Sequence, residues 1–226
     1  MNIFYLDNDP RKCAEYHLDK HVVKMILEYC QLLSTAHRVI DGKETVVKSK
    51  TGRNVKRWIL EGNFNDVLYS ATHVNHPSAV WCRQSLLNYK WLHALLVELC
   101  QEYTYRYGKV HKCQETGLVE FLATPPANIP EKPFTEPTPA MPEHCKVKGD
   151  SVSSYRTYYV MEKGRMLSWK GKINNRQTPN WLMDKLYYIN VSHFFKRFLL
   201  LFFSYVAIII AIVIAIIVTI VAFLSG

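Results

Sequence analysis

From residue 10 to residue 40 the apolar positions recur at helical spacing. Leu18, Val22, Ile26, Tyr29, Leu33 and Ala36 fall on one side of a helix that advances about 100° per residue. Asp9 can cap its start, Pro10 suits the first turn, and Asp41-Gly42 stops it. A further helix is predicted at about 55 to 70. Another runs from Ser78 to Tyr107, opened by Pro77 and closed by Gly108. Weaker helical patterns cover 115 to 123 and 151 to 169. Beyond the first few residues no strand is expected. The fold class this predicts is all-α: a compact single-domain helical bundle.

Two segments depart from the helical pattern. Residues 124 to 145, TPPANIPEKPFTEPTPAMPEHC, hold seven of the ten prolines. That excludes helix and predicts an extended Pro-rich loop, either wrapped on the domain or offered to a protein partner. Residues 198 to 224 contain no charge across 27 positions, more than the roughly 20 needed to cross a bilayer. The pattern predicts a C-terminal transmembrane helix, hence a single-pass membrane protein anchored at its tail. Lys196 and Arg197 before it put the main domain on the cytoplasmic side. The expected organisation is a helical domain over 1–182, a linker over 183–197 and the anchor over 198–224.

Charge narrows the partners. Lys plus Arg outnumber Asp plus Glu by 28 to 19, and the net charge of +9 belongs to the first 197 residues. A polyanion, either nucleic acid or an anionic membrane surface, is a natural partner for such a body. The segment 43–57 alone has six basic residues against one acid, and it reads as an exposed basic loop. Six cysteines without a C-x-x-C pair or regular spacing argue against a disulfide scaffold and for reduced thiols.

On the face opposite the apolar stripe, Cys13, His17, His21, Lys24 and Glu28 fall within an arc of roughly 80°. Three readings of this polar line remain open. Cys13, His17 and His21, at successive intervals of four, could hold a metal for a hydrolase, although an H-E-x-x-H string is absent. The line could instead be a hydrogen-bonded polar layer under neighbouring helices. Or it could handle a phosphodiester or sugar, with Lys24 on phosphate and His21 and Glu28 moving protons.

The strings N-x-F-Y-L-D and C-A-x-x-H-x-D-K-H-V-V-K-M, at residues 2–7 and 13–25, resemble those of an uncharacterised group of tailed-phage proteins. More remotely, the chain resembles the pyrimidine-dimer DNA glycosylases of the endonuclease V type. In those, D-x-H precedes the catalytic Glu by seven residues from the His, as Asp19, His21 and Glu28 do here. Asn75-His76-Pro77 before a long helix, and Arg176, Pro179 and Trp181 near the end, are similar to further family strings.

The resemblance implies a helical DNA-binding domain that flips a damaged base and needs no cofactor. It implies catalysis by an N-terminal α-amine, on Met1 or Asn2, which attacks the sugar C1′, with Glu28 stabilising the transition state and shuttling protons; the proton-transfer role of His21 rests on the polar line alone. DNA phosphates would then meet Lys20, Lys24, Arg38, Arg53, Lys56, Arg57, Arg83, Lys170 and Arg176. The alternative class is a non-enzymatic viral membrane protein whose helical domain presents its loops to a partner.

Overall fold

The computed structural model describes residues 1–49, 51–185, 187, 199, 202 and 204–206. The chain divides into two compact units, Met1–Pro179 and Asn180–Gly226. In the first, an extended segment at residues 1–6 leads into α1 (Pro10–Tyr16) and α2 (Asp19–Asp41). A hairpin of β1 (Lys43–Lys48) and β2 (Asn54–Ile59) follows, then α3 (Phe64–Val67), α4 (Pro77–Gln84) and α5 (Leu86–Tyr107). Two single turns, α6 (Lys112–Glu115) and α7 (Leu118–Phe121), precede the Pro-rich stretch, a 3-10 turn (Glu143–Cys145) and α8 (Ser151–Lys163). In the second unit, residues 180–185 are helical.

The centre of the first unit is α2, packed on α5 and α4, with α1 also lying on α5. Leu18, Val22, Ile26, Tyr29, Leu33 and Ala36 are all fully buried, as their spacing predicts. Each large side chain among them contributes about 1.5–3 kcal/mol relative to exposure. Ile3, Phe4, Tyr5 and Leu6 are buried as well, so the first residues thread through the core instead of lying across it. The Phe4 backbone N–H donates to the Tyr29 hydroxyl at 3.2 Å.

The expected helix from 10 to 40 is broken. His17 and Leu18 are extended, with ψ of 130° and 154°. The break leaves carbonyls without helical partners, and the wholly buried Arg106 takes them. Its Nη1 donates to His17 O and its Nη2 to Glu15 O, both at 2.9 Å. A similar break divides the expected helix from 78 to 107 at Ser85, whose hydroxyl caps α5 by accepting from Leu87 N–H at 3.1 Å.

The all-α expectation is overturned by the hairpin, a two-stranded antiparallel sheet with Lys43 opposite Ile59 and Lys48 opposite Asn54. It occupies the segment expected as a basic loop and the start of a helix at 55–70. Thr51-Gly52 lies in its turn, Gly52 at φ 77°, and a Lys56–Glu44 ion pair of 2.7 Å joins the strands. The high charge of this segment reflects a sheet that is exposed on most positions.

The membrane expectation is overturned too. Among the described residues no helix is long and apolar enough to cross a membrane, so the transmembrane anchor and the membrane localisation drawn from it find no support. Residues 198–224, on which it rested, lie outside the described residues apart from 199, 202 and 204–206.

Candidate active site

The extended N-terminus and α2 meet where the Met1 amine nitrogen stands 3.9 Å from Glu28 Oε2. The other carboxylate oxygen, Oε1, is 3.1 Å from Lys24 Nζ, one helical turn earlier. Lys24 is 70% exposed and Glu28 only 14%, so the lysine marks the solvent rim and the carboxylate lies below it. The local cause is the burial of Ile3 to Leu6, which fixes the path of the first residues along α2. Asn2, next to the amine, is half-buried.

The loop before α4 adds two imidazoles. His76 has its pKa lowered by burial first, then by the positive charges of the N-terminal amine and His73, while Glu28 opposes the shift. Its Nδ1 accepts from Ser78 N–H at 3.2 Å, which puts the proton of the neutral ring on Nε2. His73 has φ of 50°, the left-handed region that side chains rarely adopt. Its Nδ1 lies 2.8 Å from the Thr72 hydroxyl, and its carbonyl accepts from His76 N–H at 2.8 Å. Arg83 ties this loop down by donating from Nη1 to Val74 O at 2.7 Å. His76 stands in the Asn75-His76-Pro77 string, and neither it nor His73 is among the site residues expected from sequence. Their position three residues apart, immediately before a Pro-started helix, was the available signal.

The rest of the polar line is a buried brace. Cys13 Sγ donates to Phe4 O at 3.2 Å and accepts from Leu6 N–H at 3.3 Å. His17 uses both ring nitrogens, Nδ1 at 2.7 Å from Cys13 O and Nε2 at 3.1 Å from Tyr29 Oη. These engagements, and the break between the two helices, remove the Cys13, His17, His21 metal reading: those side chains do not form a metal-binding cluster. His21 stacks on Phe4 with centroids 4.1 Å apart, and its Nδ1 lies 2.7 Å from Tyr159 Oη. Burial holds His17 down at about 4 and His21 at about 2, the charges of His17, Lys163 and Lys24 adding to the second shift. His21 is thus a neutral packing group under the N-terminal segment and does not serve as the expected proton carrier.

Asp19, the first residue of the D-x-H string, is likewise structural. Its carboxylate accepts from Arg106 Nη1 at 2.9 Å, Ser168 Oγ at 2.6 Å and Lys170 N at 3.0 Å.

The nine expected phosphate contacts separate into two groups. Arg38 is buried and spends its guanidinium on carbonyls of Trp58, Asn65, Leu68 and Tyr69 at 2.6–2.8 Å. Arg83 holds the histidine loop, and Arg176 pairs with Glu102 at 2.8 Å while lying 4.1 Å over the Tyr105 ring. These three serve the fold. Lys20, Lys24, Arg53, Lys56 and Lys170 are exposed and Arg57 is half-buried. Lys163, a cation outside that set, lies 4.7 Å over the Tyr158 ring and contributes to the field at His21.

The Pro-rich stretch packs on its own domain. Trp81 Nε1 donates to Thr135 O at 2.9 Å and Asn88 Nδ2 to Thr135 Oγ1 at 3.1 Å.

The six cysteines are free and buried. Cys113 differs from the rest, its thiol held well below the usual range by hydrogen bonds from Cys30, His111 and Tyr69.

What the central arrangement offers is a primary amine and a carboxylate in near contact, with imidazole and ammonium groups around them. That class of site can attack an electrophilic carbon and move the protons involved. No family model, curated protein or solved structure matches the chain.

Proposed function

We propose that this protein binds DNA and acts on a damaged or abasic nucleotide as a glycosylase/AP lyase, with the Met1 amine as nucleophile and Glu28 as its acid–base partner. The observation that carries this reading is the 3.9 Å approach of the amine to Glu28, groups 27 residues apart in sequence. The Glu28 carboxylate already has Lys24 as its cation, so holding a half-buried backbone terminus against it is more than charge balance requires.

In this mechanism the neutral amine forms a bond to C1′ as the glycosidic bond breaks, and the departing base leaves with its electron pair and takes up a proton. Opening of the sugar ring gives an imine. Glu28 then accepts the C2′ proton, the 3′ phosphate leaves by β-elimination, and water hydrolyses the imine to regenerate the amine. The exposed Lys24 ammonium and the ring N–H of neutral His76 support the reading because both can donate to the phosphates on either side of a flipped nucleotide.

Borohydride trapping on a duplex containing an abasic site tests it. A covalent adduct is expected with the intact chain, mapped to the residue-1 nitrogen, and it should vanish when that amine is acetylated. An adduct that persists on the blocked protein would mean that another amine reacts, and absence of any adduct would remove the enzymatic reading.

A further inference from the structure

Away from that site, the 3-10 turn at Glu143–Cys145 comes against the last turns of α8. Here a ring nitrogen of His144, the sulfur of Cys145 and a carboxylate oxygen of Glu162 all lie within 4.8 Å of one another. His144 Nε2 and Glu162 Oε1 are already 2.8 Å apart. We infer that this trio is a binding site for a divalent transition-metal ion of the zinc class, with three protein ligands and a fourth position open to solvent.

The chemistry of the donors points to that class. One imidazole nitrogen, one thiolate sulfur and one carboxylate oxygen match borderline-soft ions such as Zn²⁺, whereas Mg²⁺ and Ca²⁺ take oxygen shells. The two anionic ligands neutralise the ion's charge. Ligand atoms on a tetrahedral zinc stand about 3.4 Å apart, so small side-chain rotations would complete the site. Those rotations are available, because His144 and Glu162 are about half exposed, at 52% and 40%.

Cys145 supplies the fixed point, its side chain wholly buried beneath the pair. The nearest following cation, Lys146, is drawn off by Glu143 at 2.8 Å and does not compete. Binding exchanges the thiol proton for a sulfur–metal bond and replaces the His144–Glu162 hydrogen bond with two coordinate bonds. The ion would thereby pin the end of the Pro-rich stretch to α8, whose Tyr155 and Tyr159 pack on Phe4.

Titration of the full-length chain with Co²⁺, followed by competition with Zn²⁺, tests the site. One equivalent of Co²⁺ is expected to give a thiolate-to-metal charge-transfer band, which Zn²⁺ abolishes. Cys145→Ser should remove the band. His144→Ala and Glu162→Gln, at half-exposed positions where folding is not at stake, should each weaken binding at least tenfold. Cys113→Ser should leave the band intact, since that thiol lies in the separate Cys30 and Tyr69 cluster. The proposal is overturned if no band forms, if the band survives Cys145→Ser, or if His144→Ala and Glu162→Gln leave the affinity unchanged.

Discussion

Arg106 Nη1 lies 2.9 Å from Asp19 Oδ1, joining the C-terminal end of α5 to the first residue of α2. The same guanidinium pairs with Glu102 through Nε at 2.6 Å and caps the carbonyls of Glu15 and His17. Arg106 is fully buried, so its removal leaves the Glu15 and His17 carbonyls without this donor and Glu102 with Arg176 as its remaining cation. Arg106→Met is expected to cost about 3–5 kcal/mol, the usual penalty for breaking a buried pair from one side. Urea unfolding measures this directly. A loss below about 1 kcal/mol would show that water replaces the guanidinium readily.

Glu28→Gln keeps the shape of the side chain and removes its basicity. In the proposed mechanism single-turnover cleavage of abasic DNA should fall by about 10²-fold or more, as expected for loss of a general acid–base group. Binding measured by fluorescence anisotropy should stay within about twofold. Equal losses in both would assign Glu28 to the shape of the site instead of its chemistry.

Acid should destabilise the folded state well before its carboxylates titrate. Burial lowers His17 and His37 to about 4 and His21 to about 2, against about 6.5 when unfolded. The unfolded chain therefore binds more protons below pH 6.5, and stability falls as pH falls. It is complete above about 6.5 and declines toward 4, with His21 extending the decline further. Each histidine contributes up to about 1.4 kcal/mol per pH unit in that window. Denaturant melts at pH 7, 5.5 and 4.5 provide the check, and a flat profile would contradict neutral buried imidazoles.

Salt dependence separates the two groups of basic residues. If Lys20, Lys24, Arg53, Arg57 and Lys170 all meet phosphates, affinity for DNA should drop roughly 500-fold between 50 and 200 mM salt. Lys170→Ala should lower that slope by about one unit without touching stability. Arg38→Ala should do the reverse: it unfolds the protein more easily and leaves the slope alone.

The periodic signals were the legible part of this chain. The apolar stripe of α2, the Pro77 start and the Gly108 stop are where the spacing puts them, because each follows from local backbone chemistry. The breaks at His17 and Ser85 were hidden, since partners distant in sequence decide them: Arg106 at one and the carbonyl of Pro130, which accepts from Leu86 N–H, at the other. Charge masked the hairpin for a similar reason, because an exposed strand and an exposed loop share a composition. The place of Glu28 on the polar line was legible, but its spacing carried no sign that the first amine of the chain would lie beside it; only the family resemblance implied that pairing. His21 failed in the opposite sense. Its register on the polar line was right, and the N-terminal segment then covered it.

The way Arg38 grips the hairpin gives its two ends different fates. The guanidinium is bonded to Trp58 O near the base, while among the described residues the far end is held by its own ladder and the turn hydrogen bonds between Ser49 and Arg53. A lone pair of strands is marginal in water. Amides toward the turn should exchange with solvent through brief local openings, and those beside Trp58 should wait for unfolding of the body. The arm therefore peels from its tip inward, and its root stays locked to α2 for as long as the domain remains folded.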